Sequence, residues 1–240
     1  WRGMMVAGPR RSVACPPERS TTREIAGMNL LGRRIAIRSM KAEDLDAMMQ
    51  WRPFVDPLYR PFDFPRQSRT EHMRWFEWRR RDPSRRLFTI LNEERQVIGS
   101  LTLRDIDGRQ SARLGITIGS DYVSQGYGTE AMRLFLDYYF GEMGFATMVL
   151  DVAATNLRAV RCYQALGFRQ IGSHYRLANH PSFRILQQEA RYQHLRPFFR
   201  RAGGVTKVLF YDMLIAREEW QGISQSLEKA SAAASARPSE

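Results

Sequence analysis

Residues 156–168 read Asn156-Leu157-Arg158-Ala159-Val160-Arg161-Cys162-Tyr163-Gln164-Ala165-Leu166-Gly167-Phe168. Asn156 is a good N-cap, because its side-chain oxygen can accept from the N–H groups that open a helix. Gly167 is a good C′ residue, because it takes left-handed backbone without a Cβ penalty. One helix is expected between them, with a short apolar strand before it (Met148 to Val152) and another strand opened by Phe168.

Upstream stands Gln125-Gly126-Tyr127-Gly128-Thr129, and Asn156 follows Gly128 by 28 residues. That interval holds one helix, a turn and a strand returning parallel to the one before the glycines. The helix runs from Gly126 to Phe140, with Ala131, Leu134, Phe135 and Tyr138 on one face. Glycines at such a loop let the backbone turn tightly, and the unpaired N–H groups of the first helical turn point at an anion such as a pyrophosphate. A third glycine is missing, which disfavours a dinucleotide fold.

Further upstream, Arg34 to Arg38 alternates as a strand and Lys41 to Trp51 has helical spacing at Leu45, Met48 and Met49. An aromatic, Pro-broken link spans Pro53 to Pro65, and a helix is expected from Ser68 to Arg80. Strands follow at Leu87 to Leu91, Val97 to Leu103 and Arg113 to Ile118, joined by hairpin turns at 92–96 and around Asp107-Gly108. Val205 to Ile215 supplies the last strand. A meander leading into βαβα predicts an α/β (α+β) fold, a mixed sheet with helices on both faces.

With 240 residues, 43% of them hydrophobic, the chain can bury one sizeable core. The domain is expected over 31–220. Residues 1–27, rich in Arg, Pro, Ser and Thr, read as a disordered extension or a non-native upstream segment, and 221–240 as a disordered tail, frayed and Ala/Ser-rich from Ser224. No run approaches the roughly 20 apolar residues of a bilayer span, and no secretory signal is legible, so a cytoplasmic protein without membrane attachment is expected. Cys15 and Cys162 offer at most one bridge, and free thiols are expected. His72, His174, His180 and His194 are scattered, and no metal is expected.

The formal charge is +12, carried by arginine except at Lys41, Lys207 and Lys229. Such a balance favours anionic partners, nucleic acid or a phosphate-bearing cofactor, without choosing between them.

The two motifs together resemble the coenzyme A signature of the Gcn5-related N-acetyltransferase (GNAT) superfamily. Leu31-Gly32, Gly126-Tyr127-Gly128-Thr129-Glu130-Ala131, Asn156…Ala159…Tyr163…Gly167-Phe168 and Asp212…Glu219-Trp220 are similar to the branch containing ribosomal-protein alanine acetyltransferases. The resemblance implies a mostly antiparallel sheet in which the strand Gly115 to Ile118 splays from its parallel neighbour. Its Ile116, Thr117 and Ile118 would pair with the pantetheine amides of acetyl-CoA, the cosubstrate. Gln125, Gly126, Tyr127, Gly128 and Thr129 would hold the pyrophosphate, Asn156 would contact the cofactor, and Tyr163 would be the general acid that protonates the departing thiolate.

Plainer roles stand beside these: Asn156 as a helix cap, Tyr163 as a core aromatic, Gln125 as a turn residue, Cys162 as packing. Two positions depart from the family pattern. Val123 stands where many relatives begin the loop with Arg, Gln or Trp, and Arg113 stands where some carry an acid, which leaves the general base unassigned.

The family's acceptor wall corresponds to roughly Arg60 to Arg86, with nine arginines against four acids, a balance of +5. A polycation such as spermidine should be repelled there. The acceptor amine is expected to be neutral or acidic in character, or a protein N-terminus presented beside RNA. The insertion 179–204 has helical spacing at Phe183, Leu186 and Ala190, and bulk at Tyr192, Leu195, Phe198 and Phe199. It either caps the acceptor pocket or makes the contact of a homodimer. A different class also stands: an RNA- or ribosome-associated module with little catalysis, suggested by Arg74-Trp75-Phe76-Glu77-Trp78-Arg79-Arg80-Arg81.

Overall fold

Among the described residues nine strands form one sheet, where apolar residues alternate or run in short stretches, and six segments are α-helical. The computed structural model describes residues 28–235. The expected extension at 1–27, Cys15 within it and residues 236–240 lie outside the described residues.

The strands are β1 (Asn29–Leu31), β2 (Ala36–Ser39), β3 (Arg86–Leu91), β4 (Val97–Asp107), β5 (Ser111–Ile118), β6 (Thr147–Ala153), β7 (Arg169–Leu177), β8 (Phe199–Ala202) and β9 (Val205–Ala216). Their order is β1-β2-β3-β4-β5-β6-β9-β7, with β8 also on β9. Every pairing is antiparallel except β5 with β6. The helices are α1 (Asp44–Met49), α2 (Arg69–Arg81), α3 (Tyr127–Gly141), α4 (Leu157–Ala165), α5 (Ser182–Gln188) and α6 (Arg217–Ser235).

Alternation on β3 shows the layering. Leu87 packs with Leu45 and Met48 of α1 and Phe76 of α2, whereas Phe88, on the other face, meets Phe135 of α3 with ring centroids 5.0 Å apart. The main core fills the α3 side, joining Ile37, Phe88, Leu101, Leu114, Met148 and Leu150 to Met132, Phe135 and Tyr139. Helix α2 starts where its capping box dictates: Ser68 Oγ accepts from Glu71 N–H, and the Glu71 carboxylate accepts from Ser68 N–H. Asp44 is buried at the start of α1. Burial would raise its pKa, but the Arg38 guanidinium, the Lys41 N–H and the Thr89 hydroxyl all donate to it and hold it below the usual carboxylate range.

Two outcomes differ from the sequence-based expectations. Asn29–Leu31 is itself a strand, pairing Leu30 with Ile37. Residues 221–235 are helical and not a disordered tail: α6 continues to Ser235. Alanine is the strongest helix former, and α6 is anchored at its start by buried Trp220, whose indole donates to Asp137 at 2.8 Å. Ile223, one turn later, packs on the core beside Gly167. Among the described residues, no helix is long and apolar enough to cross a membrane.

Candidate active site

The parallel pair β5–β6 is in register only from Ser111 opposite Thr147 to Leu114 opposite Leu150. Beyond that point the strands part. Gly115 to Ile118 keep their bonds to β4 and Asp151 to Ala153 keep theirs to β9, so both inner edges face a gap. A strand edge left this way presents unpaired N–H and C=O groups. The gap opens into a cavity of about 410 Å³, the size range of small-molecule sites.

Of the residues expected to bind a cofactor, Ile116, Thr117, Ile118, Gly126, Gly128, Thr129 and Asn156 line this cavity, and so does Tyr163. The sheet edge supplies the first three and the start of α3 the next three. Ser124 and Gly126 both take left-handed backbone, with φ of 62° and 86°. The first intrahelical bond of α3 is made by Glu130 N–H to the Gly126 carbonyl, which leaves the N–H groups of the preceding turn without helical acceptors. These donors, with the positive end of the helix dipole, suit an anion.

Gln125 and Tyr127 are turned elsewhere. The Gln125 amide donates to the Asp121 carbonyl at 2.7 Å, and Tyr127 donates to Glu93 at 3.2 Å while its ring faces Arg34 at 4.8 Å. Arg34 pins the loop: it donates to the Gln125 carbonyl and pairs with Glu130 at 3.0 Å. It lies in the link between β1 and β2, and no motif in the sequence marks it.

Asn156 does cap α4, accepting from Ala159 N–H at 3.3 Å, while its amide nitrogen has no protein partner among the described residues. The cap and the ligand-facing role are compatible. Tyr163 is half-buried and stacks obliquely near Phe168 at 5.9 Å. Burial, and next the neighbouring Cys162 and Asp151, push its hydroxyl pKa up. The hydroxyl has no hydrogen-bond partner among the described residues. Cys162 is a free thiol within 3.4 Å of the Thr129 hydroxyl, a packing contact between α3 and α4.

Asp151 and Arg104, which line the floor of the cavity, belong to a charged row crossing the sheet. Asp151 on β6 stands opposite Asp212 on β9, and two like charges in register repel. Arg113 bridges them, at 3.1 Å and 3.5 Å, and Arg104 (2.6 Å) and Arg176 (2.8 Å) complete the shell of Asp151. Burial would raise Asp151, but these three arginines outweigh it and its pKa is lowered. His174 Nδ1 lies 2.8 Å from the Asp212 carboxylate, and its Nε2 accepts from Arg176 at 2.9 Å, so both ring nitrogens are engaged. Asp151, Asp212 and His174 are thus each already engaged by a neighbour in the row. A lone acid inside the apolar strand Met148 to Val152 was the sequence signal for it.

The opposite wall corrects a sequence-based expectation. Of the basic stretch 60–86, Phe62 alone reaches the cavity; Phe54 joins it from just upstream. None of the arginines of α2 lines the cavity: Arg69 pairs with Asp46 of α1, Arg80 and Arg81 pair with Glu77, and Arg79 stacks on Trp75. The insertion holds the wall from behind. Tyr192 donates to Asp56 at 2.5 Å, and Leu58 joins Phe183, Leu186, Leu195 and Val208 in a separate apolar cluster. Burial and the Asp56 contact push Tyr192 up to about 12. The insertion thus packs against the back of the aromatic wall at 53–65.

Residues 34–169 match the family model of the acetyltransferase (GNAT) domain. An uncharacterised N-acetyltransferase of Bacillus licheniformis is 24% identical over 150 residues, spanning 60% of this chain and 83% of the relative. The spermidine N(1)-acetyltransferase of Vibrio cholerae is 27% identical over 153 residues, 59% and 83% of the two chains. The crystal structure of spermidine N-acetyltransferase from Vibrio cholerae in complex with CoA and spermine superposes with a TM-score of 0.58 at 19% identity, covering 78% of this chain and 98% of that one.

Proposed function

Because the chain belongs to the GNAT acetyltransferase family, an acyl-CoA-dependent class of N-acyltransferase, we propose that the β5–β6 gap takes acetyl-CoA and that a neutral primary amine attacks its thioester directly. The observation that carries this reading is the gap itself: free strand edge, unpaired helix N-terminus and unpartnered tyrosine hydroxyl converge on one cavity. The edge of Ile116 to Ile118 suits the amides of pantetheine. The N–H groups at Gly126 to Thr129 suit a pyrophosphate, with Val123 contributing no polar side chain and the backbone doing the binding. Asn156 contributes its free amide nitrogen.

In the reaction, backbone N–H groups of the open β5 edge steady the oxygen of the tetrahedral intermediate. Tyr163 donates its proton to the sulfur as the C–S bond breaks, and the proton shed by the newly acylated nitrogen passes through water to restore the phenol. Its raised pKa keeps it protonated throughout the working pH range, so the donor form is always present. No residue of the floor takes the amine's proton, since Asp151 is held ionised by three arginines and His174 is engaged at both nitrogens. The amine must therefore arrive neutral. An α-amine, with pKa about 8, is about a tenth neutral at pH 7, whereas a lysine amine is below about a thousandth. This favours a peptide N-terminus, as in the ribosomal-protein branch, or a small amine of low pKa, over a polyamine of the kind named for the Vibrio cholerae relative.

The test is thiol release from acetyl-CoA with a panel of amines and N-terminal peptides, comparing wild type with Tyr163→Phe. With an α-amine acceptor, the rate should climb with pH and level off near 8. A rate that keeps climbing well beyond 8 on a lysine acceptor argues against the low-pKa amine. A rise in Tm with CoA checks the cofactor separately.

One observation favours a second role. Trp78 is 63% exposed beside Arg85, and Trp75 stacks with Arg79, an aromatic and basic face on α2 suited to stacking bases and binding phosphates. RNA binding that weakens steeply with salt would support it; binding with no salt slope would exclude it.

A further inference from the structure

We infer that the acceptor carries an anionic group, a carboxylate or a phosphate, and that Arg158 binds it. The inference rests on the acetyltransferase reading and names the acceptor's chemistry within it.

The argument starts from which cations around the cavity are already neutralised. Arg104, Arg113 and Arg176 share Asp151, with Asp105 and Asp212 in reach of the same cluster. Arg34 is paired with Glu130 and Arg52 with Asp121. Arg158 differs. It lines the cavity and is half-buried, and among the described residues it has no carboxylate partner. Its contacts are with rings: the guanidinium lies 4.2 Å from the Tyr59 centroid and 5.8 Å from that of Phe54.

A guanidinium stacked on rings uses its face, and its five N–H donors lie in its plane, where a ring offers no acceptor. Stacking thus orients Arg158 while leaving its hydrogen-bonding capacity unspent. In a cavity walled by Phe54, Phe62 and Phe210, an unpaired cation draws an anion more strongly than it would in water. The planar fork matches two oxygens of one carboxylate or phosphate. The rings come from the acceptor wall, 53–65, which the insertion braces through Tyr192 and Asp56. That location favours an anion on the acceptor over one on the cofactor.

The experiment uses the full chain with acetyl-CoA and matched acceptors: an amino acid against its amide, a dipeptide against its amide, and phosphoethanolamine against ethanolamine. In wild type, kcat/KM should favour each anionic member about 10- to 100-fold, the range of a charge-assisted hydrogen bond. Arg158→Gln should bring that ratio to about 1 through KM, Arg158→Lys should restore part of it, and the Tm rise with CoA should persist in both. The larger of the carboxylate and phosphate preferences identifies the anion. A wild-type ratio of 1 or less, or a ratio unmoved by Arg158→Gln, overturns the inference. So does loss of the CoA-induced Tm rise in Arg158→Gln, which would give Arg158 to the cofactor's phosphates. If no amine is acetylated, the acetyltransferase reading fails by itself. Calorimetric titration of CoA-loaded protein with the same anions then decides the site, binding abolished by Arg158→Gln upholding it and absent binding sinking it.

Discussion

The glycine loop at 123–129 is held by its own helix and by Arg34, whereas the aromatic wall at 53–65 is held by a segment 136 residues later in the chain, through Tyr192 and Asp56. Both walls are pinned by a residue distant in sequence, but the first also has a helix start and left-handed turn of its own, which the second lacks. Left-handed backbone at Ser124 and Gly126 and the start of α3 are set within a few residues of the chain. The aromatic wall has no regular structure beyond one 3₁₀ turn at Arg60–Phe62, and its shape depends on α5 and the turn after it being in place. A locally specified wall suits a cofactor of constant shape, and a wall fixed by distant packing can change its acceptor without disturbing the cofactor side.

Substitutions can test that division. The largest effect is expected from Tyr163→Phe, where the two walls meet: kcat should fall about 100- to 1,000-fold. Tm should stay the same, because the hydroxyl has no protein partner to lose. A large drop in Tm would assign Tyr163 to the core instead.

Next comes the shared floor. Asp151→Asn leaves Arg104, Arg113 and Arg176 around a neutral group and should cost about 3 kcal/mol at pH 7, the low end for a buried ion pair because the arginines are part-exposed. The pH sign follows from the lowered pKa of Asp151. Its contribution is fully present above the unfolded carboxylate pKa of about 4 and is lost as pH falls through the folded value. Urea denaturation from pH 7 to 3 should find wild type losing more stability on acidification than Asp151→Asn does.

On the cofactor side alone, Gly126→Ala forces a Cβ into backbone with φ of 86° and to 3.0 Å from Arg34 Nη2. The Kd for CoA should rise about tenfold, in line with the strain of left-handed backbone, with acceptor KM little changed. The smallest effect is expected on the acceptor side. Tyr192→Phe removes one hydrogen bond, so acceptor KM should rise about fivefold with the Kd for CoA constant. A Tyr192→Phe variant that weakened CoA as much as the acceptor would erase the distinction between the walls.

The sequence by itself determined the parts of this protein whose physics is local. The capped helix at Asn156, the glycine turn before α3, the βαβ interval between them and the alternation on the central strands all follow from propensities that act within a few residues, and the GNAT resemblance followed from those motifs. Tertiary structure alone decided which charges face the cavity. The nine arginines of 60–86 dominate the composition there, yet none of them lines the cavity, and the one uncompensated cation of the site among the described residues is Arg158, in the middle of a motif read for its neighbours. It also decided that Asp151 is an ion partner and that the insertion braces the aromatic wall at 53–65. Pairing and burial depend on residues brought together from opposite ends of the chain, and no local pattern records which side chains will meet.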